Sequence, residues 1–327
     1  MITVTILAYD FAFASAITGI NDLLYLAGKS WNKIHNQQQT PKFNVQIASW
    51  DGKPVKTLNN LLISPHCSIQ EVKSSDVYLV PGISGDIKKT LSLNTGLIEY
   101  LSNLKSTNSI IGSNSTGAFF LAEAGLLEHK VATTHWGLVE EFRLAYPNVN
   151  LMADSLLTQD DNILCDGGGL AWFDLGLHLI EFFCDHQTAM GSAKTFVLET
   201  GRSTQLSYSP LISNKYHKDE TVHQIQQYID GHFTDSLSIA DICDKFGVTH
   251  RTLIRRFKSS TGMTPLDYIQ RVRLNAASKY LVQTNKTIDE ITHAVGYSDI
   301  SSFTRLFKKH MGLSASHYRA RYQPLGQ

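Results

Sequence analysis

The chain has 327 residues, 43% hydrophobic and 18% charged, with equal numbers of basic and acidic side chains. That length suits two ordinary domains, and the composition excludes the disordered and fibrous classes. The zero net charge hides an asymmetry, because Lys plus Arg stands against Asp plus Glu as 14 to 19 over residues 1–217 and as 15 to 10 over residues 218–327. A basic back half suits a polyanionic partner.

Residues 1–20 are apolar but lack a basic leading segment, and Ile2, Val4 and Ile6 alternate with Thr3 and Thr5. This pattern predicts a first buried strand and no secretion signal. No apolar run approaches the roughly 20 residues of a membrane span. Cys67, Cys165, Cys184 and Cys243 are scattered without a CxxC pair, so neither a zinc site nor a disulfide framework is indicated. The expected setting is the cytoplasm, with no membrane partner, metal or cofactor.

Strand-like and helix-like runs then alternate to about residue 202, the order of a parallel α/β sheet. VYLVPGISG at 77–85 is a strand entering a glycine-bearing loop, and SIIGSNSTGAFFLAEAGLL at 109–127 is a strand, a sharp turn and a helix. NILCDGGGLAWFDLGLHLIEFF at 162–183 repeats that plan with a glycine-rich turn. Loops at the carboxyl ends of such strands form ligand crevices, which points to Gly82, Gly85, Ser115, Thr116 and His135. Trp136, Trp172 and the neutral polar loops suggest a small polar ligand. His178, inside an apolar helix, reads as a satisfied core histidine, and Cys67 and Cys165 as small buried residues. SNSTG around Ser115 is one glycine short of the GxSxG nucleophile elbow, with His135 on the next segment. A hydrolase is therefore the rival reading, although His135 in TTHW also suits a turn ordered by hydrogen bonding.

SYSPLISNKYHKDETVHQ at 207–224 shows no sustained apolar periodicity before Val222 and reads as a linker over residues 206–221. Domains are expected over 1–205 and 222–322.

Beyond the linker the sequence repeats itself. SIADICDKFGVTHRTLIRRFKSSTGMTPLDY returns as TIDEITHAVGYSDISSFTRLFKKHMGLSASHY, with Gly247 matching Gly296 at an offset of 49 and Phe257, Gly262 and Tyr268 matching Phe307, Gly312 and Tyr318 at 50. In each copy a short helix buries one face (Ile239, Ile242 and Phe246; Ile288, Ile291 and Val295), a glycine turns the chain, and a second helix buries two residues four apart. Leu253 and Phe257 serve in the first copy, Phe303 and Phe307 in the second. The opposite face of that second helix carries Arg251, Arg255 and Lys258, then Ser301, Arg305 and Lys308. Guanidinium forks, short hydroxyls and flanking cations are what a DNA major groove requires.

This duplicated segment, with GMTPLDYIQRVRLNAASKYL and GYSDISSFTRLFKKHMGLSASHYR, resembles the AraC/XylS family of transcription activators. The resemblance implies an all-α domain whose two helix-turn-helix units enter successive major grooves about 34 Å apart. By residue-by-residue match, His250, Arg251, Ile254 and Arg255 would face bases from one unit, and Ile300, Ser301, Thr304 and Arg305 from the other. Ala315 stands where the family has proline, while Pro265 keeps it.

The front half, through STGAFFLAEAGLL, ATTHW and DGGGLAWFDLGLHLI, resembles the ThiJ/PfpI superfamily of flavodoxin-like, class I glutamine amidotransferase-like domains, and within it the GlxA-like subgroup fused to AraC-type domains. Enzymes of the superfamily place a reactive cysteine on the strand-to-helix turn and an acidic residue on the first helix. Here those positions are Ser115 and, aligned through Gly19, Ala16. The resemblance thus implies a regulator whose front domain senses a small-molecule effector without catalysis. Double-stranded DNA, RNA polymerase and a second copy of the chain are the expected partners. The alternative is an amidase-like or other hydrolase with an appended DNA-binding domain.

Overall fold

The computed structural model describes residues 1–211, 217 and 219–323. The chain divides into two compact units, Met1–Gln205 and Leu206–Gln327.

The first unit opens with β1 (Ile2–Ala8), α1 (Ala14–Leu26), α2 (Ser30–Ile34), β2 (Phe43–Ser49) and a small hairpin of β3 (Val55–Lys56) and β4 (Leu62–Ile63). It continues through β5 (Cys67–Ser68), β6 (Val77–Val80), α3 (Ile87–Leu93), α4 (Thr95–Asn103), β7 (Ile110–Asn114) and α5 (Ala118–Glu123). Then come β8 (Val131–Ala132), α6 (Val139–Ala145), β9 (Asn150–Leu151), β10 (Leu157–Asp160), β11 (Ile163–Asp166), α7 (Trp172–Phe183) and α8 (His186–Thr195). Seven strands form one sheet in the order β10-β11-β7-β6-β1-β2-β5. All neighbours are parallel except β10 with β11. The long apolar runs reflect a sheet covered on both faces.

β1 departs from the expected alternation. Thr5 is fully buried, its hydroxyl donating to Ser75 Oγ at 3.0 Å and accepting from Gln46 at 2.9 Å. A central strand has no solvent face, so the polar half of the pattern is satisfied internally.

The second unit is helical: α9 (Glu220–His232), α10 (Ile239–Phe246), α11 (His250–Thr261), α12 (Pro265–Gln283), α13 (Ile288–Ala294), α14 (Ile300–Met311) and α15 (Ala315–Tyr322). It has two cores. Leu253, Phe257 and Ile242 pack with Tyr268, Ile269 and Val272 of α12, while Phe303, Phe307 and Ile291 pack with Leu274, Ala277 and Leu281 of the same helix. One long helix therefore serves both repeats. Ser238 with Asp241 and Thr287 with Glu290 form matched capping boxes at the starts of α10 and α13. Pro265 opens α12 at its first turn, and Ala315 in the matching place is buried behind its Ser314 cap.

The presumed linker over 206–221 is corrected in part. Positions 212–216 and 218 lie outside the described residues, but Leu206–Tyr208 form a turn, Leu211 is buried in the second core, and Arg321 donates to the Tyr208 hydroxyl at 2.6 Å. Asp219 caps α9, so that helix begins at Glu220, ahead of Val222. A carboxylate cap is a local polar signal that apolar periodicity misses. Among the described residues no helix is long and apolar enough to cross a membrane.

Candidate ligand cavity and nucleic-acid interface

The loops at the carboxyl ends of β1, β6, β7 and β11 converge on a cavity of about 950 Å³. One wall is the turn that follows β7. Ser115 is buried there with φ +53°, in the left-handed region that costs a non-glycine residue about 1–3 kcal/mol. Three contacts hold the turn. The Ser115 N–H donates to Asp166 Oδ1 at 3.1 Å, the Ser115 carbonyl accepts from Thr134 Oγ1 at 3.0 Å, and Asn114 Nδ2 donates to Asp166 Oδ1 at 2.8 Å. Burial pushes the Asp166 carboxyl well above the usual carboxylate range. The turn after β7 is thus strained, braced on three sides, and occupied by a serine.

Gly82, Ser115, Thr116 and His135 line this cavity, as do Ile83 and Ser84. Ala16 and Gly85 do not. Ala16 turns into the core, and α1 presents Ala14, Ser15 and Thr18 instead. Gly85 packs beside Phe11 and borders an adjoining depression. The expected tryptophans are also absent from the wall: Trp172 is buried under Gly19, and Trp136 packs on the His135 ring at 5.0 Å. Phe13, with Leu58, Asn59 and Leu61 from the β3–β4 hairpin, lines it and was not anticipated.

His135 Nδ1 accepts from the Gly137 N–H at 3.1 Å, and burial holds the imidazole pKa below its ordinary range. A neutral imidazole whose Nδ1 accepts must carry its proton on Nε2. In this state Nε2 is a hydrogen-bond donor, and the Nδ1 lone pair is engaged by Gly137. His178 Nε2 lies 3.0 Å from Gln159 Oε1. Cys165 is buried, its thiol pushed up to about 11, and Cys67 sits away from the turn on β5. Among the described residues no cluster of potential metal ligands occurs.

On the second unit, α11 and α14 carry the same burial pattern over the ten residues from Arg251 and from Ser301. His250, Arg251, Arg255 and Lys258 are exposed and Ile254 half-buried; Ile300, Ser301, Arg305 and Lys308 are exposed and Thr304 half-buried. Each face is thus repeated fifty residues later. None of these arginines and lysines forms an ion pair among the described residues, whereas the neighbouring Arg256 is committed to Asp219 at 2.9 Å, bracing the start of α9. Thr304 donates to the Ile300 carbonyl at 2.8 Å. The cations are available to phosphates and base edges.

Residues 32–181 match the DJ-1/PfpI family, and residues 242–321 match a helix-turn-helix domain. The chain is a DJ-1/PfpI domain joined to an AraC-type helix-turn-helix domain. It is 25% identical to the HTH-type transcriptional regulator CdhR of Pseudomonas aeruginosa, over 96% of this chain and 92% of that protein. With the HTH-type transcriptional regulator GbdR of the same species it shares 25% identity over 97% of this chain and 82% of that protein. The bifunctional transcriptional activator/DNA repair enzyme AdaA of Bacillus subtilis is 38% identical over 33% of this chain and 51% of its own. The DJ-1/PfpI fold is also that of Drosophila melanogaster DJ-1beta, with a TM-score of 0.51 at 18% identity over 61% of this chain and 99% of that one. An AraC family transcriptional regulator from Pseudomonas putida gives the same score at 19% identity, over 60% and 100%.

Proposed function

We propose that this protein is a cytoplasmic transcription regulator, acting as a homodimer, whose DJ-1/PfpI domain binds a small molecule and whose helix-turn-helix domain reads duplex DNA. The single observation that carries DNA reading is the pair of exposed faces on α11 and α14, which share one burial pattern and matched arginine and lysine positions on two cores that share α12. The full-length relatives named as transcriptional regulators support it. RNA polymerase is the partner through which bound protein would act on transcription.

The front domain works by binding and not by turnover. The Nδ1 lone pair of His135 is taken by Gly137 and its Nε2 carries the proton, which argues against a general base in this cavity, and the Ser115 N–H is already engaged by Asp166. A sensor needs only a difference in ligand affinity between two protein states, typically about 1–3 kcal/mol. The experiment is to incubate purified full-length protein with ester and amide substrates and, in parallel, with labelled genomic fragments. Selective DNA retention without hydrolysis is the expected result. Turnover lost in Ser115→Ala would support the hydrolase, which rests on the elbow-like turn and the histidine sharing its cavity.

A further inference from the structure

The cavity wall specifies more than size. Its lining includes no aspartate, glutamate, lysine or arginine among the described residues. Its two rings are Phe13 and His135, too few for the aromatic cage that holds a quaternary ammonium. A carboxylate or ammonium entering it would shed water without gaining a counter-charge, which is far costlier than burying a neutral group. An anion meets a further obstacle, because the backbone N–H of Ser115 at the turn is already taken by Asp166.

Among the described residues that line the cavity, two buried polar atoms have no hydrogen-bond partner, Ser15 Oγ and Asn114 Oδ1. Asn114 is only 3% exposed, and its orientation is fixed: Nδ2 donates to Asp166 Oδ1 at 2.8 Å and to the Gly168 carbonyl at 3.0 Å. Oδ1 therefore lies on the Gly82 side, where a Cβ on that glycine would stand 3.2 Å away. A buried carbonyl oxygen without a partner is a standing demand for an N–H or O–H. Nearby, the Thr116 hydroxyl is spent on the Ile83 carbonyl at 2.9 Å. His135 supplies the opposite function, since its Nε2–H is a donor in search of an acceptor. Phe13, Leu58, Leu61, Ile83 and Leu138 give the cavity an apolar face, and the uncharged Thr18, Asn59 and Ser84 complete its polar lining.

From this we infer that the effector is an uncharged, amide-like molecule, with an N–H or O–H donor for Asn114 and Ser15, a carbonyl-type acceptor for His135, and an apolar body. This inference rests on the reading of the cavity as a sensing site and names the chemistry it senses.

The test uses full-length protein and a matched set of fragments: ε-caprolactam, N-methylcaprolactam, hexanoate and hexylammonium. Affinities are read by ligand-observed saturation-transfer NMR with Ser115→Trp, which blocks the cavity, as the site control. The lactam is expected to bind at least about tenfold more tightly than either ion, and N-methylation, which removes the donor, to weaken it about tenfold. Ser15→Ala should weaken the lactam and leave N-methylcaprolactam unchanged, a pattern that general damage to the fold would not give. Hexanoate or hexylammonium binding as tightly as the lactam, or no probe binding in a way that Ser115→Trp abolishes, would overturn the inference. Cavity-specific binding of the ions alone would still leave a ligand-binding domain. Lactam binding with no effect of any cavity ligand on DNA affinity would instead remove the sensing reading and leave the specificity intact.

Discussion

Asp166, at the end of β11, receives both the backbone N–H of Ser115 at 3.1 Å and the side-chain amide of Asn114 at 2.8 Å through one carboxyl oxygen. One buried acid thus braces both the strained turn and the side chain of the neighbouring wall residue, beside the Thr134 and Gly168 contacts. Asp166→Ala leaves both donors unpaired and should destabilise the front domain by about 1–3 kcal/mol. Asp166→Asn keeps an acceptor and should cost less. The pH dependence carries the sign. Burial raises the native pKa above the unfolded value, so the native state holds the proton longer and stability falls as pH rises from the unfolded pKa toward the native one. Asp166→Asn removes that fall, so its stability relative to the wild type should improve with rising pH across this window in denaturant titrations. A difference independent of pH would show that Asp166 is ionised in the native domain.

Gly296 and Gly247 occupy matched turns with φ of +84° and +63°. A Cβ at Gly247 meets nothing within 4 Å, so Gly247→Ala should cost only the left-handed penalty of about 1–2 kcal/mol. At Gly296 a Cβ would lie 2.8 Å from the Thr234 carbonyl oxygen, in a loop that Arg273 anchors by donating to the Phe233 and Asp235 carbonyls at 2.7 and 2.8 Å. Gly296→Ala should therefore lower the melting temperature of the helical domain distinctly more. Equal losses would mean that this loop gives way freely.

On DNA, Arg255→Ala and Arg305→Ala should each cost about 1–3 kcal/mol on a specific site and relax preference at base pairs one helical turn apart. Lys258→Ala and Lys308→Ala should weaken all sequences alike, each lowering the salt slope of log affinity by about 0.9. Competition binding against randomised sites separates the two effects. Arginine changes that reduce specific and nonspecific binding equally would place a different face in the groove.

The helical half was legible because its signals are local. Glycine turns, capping residues and apolar positions four apart, seen twice, define both units without knowledge of tertiary contacts. The strand, turn and helix around Ser115 were legible for the same reason. The cavity wall was not. Successive helical residues are turned about 100° from one another, so aligning α1 through Gly19 selected Ala16 where Ser15 lines the space. Asp166 reaches the turn only because the register sets it opposite Asn114 across β7 and β11. Leu58 and Leu61 come from a hairpin whose strands are two residues long, too short to give a periodic pattern.

If the DJ-1/PfpI domain senses by binding, Ser115→Ala should leave both DNA affinity and the ligand-induced change in it nearly intact. Ser115→Trp fills the space between Gly82, Thr116 and His135 and should abolish the response while preserving DNA binding without ligand. Mass spectrometry of wild-type protein after exposure to ester substrates should show no acyl adduct on Ser115, and finding one would restore catalysis to the domain.

The central claim is that one chain places both recognition helices on DNA, and footprinting of the full-length protein on fragments selected from genomic DNA tests it most directly. Two protected major-groove segments on one face of the duplex, centred about 10–10.5 base pairs apart, are expected. Protection at one segment should be lost with Arg255→Ala and at the other with Arg305→Ala. Folded protein that selects no sequence over competitor DNA, or a footprint indifferent to both substitutions, would contradict the account.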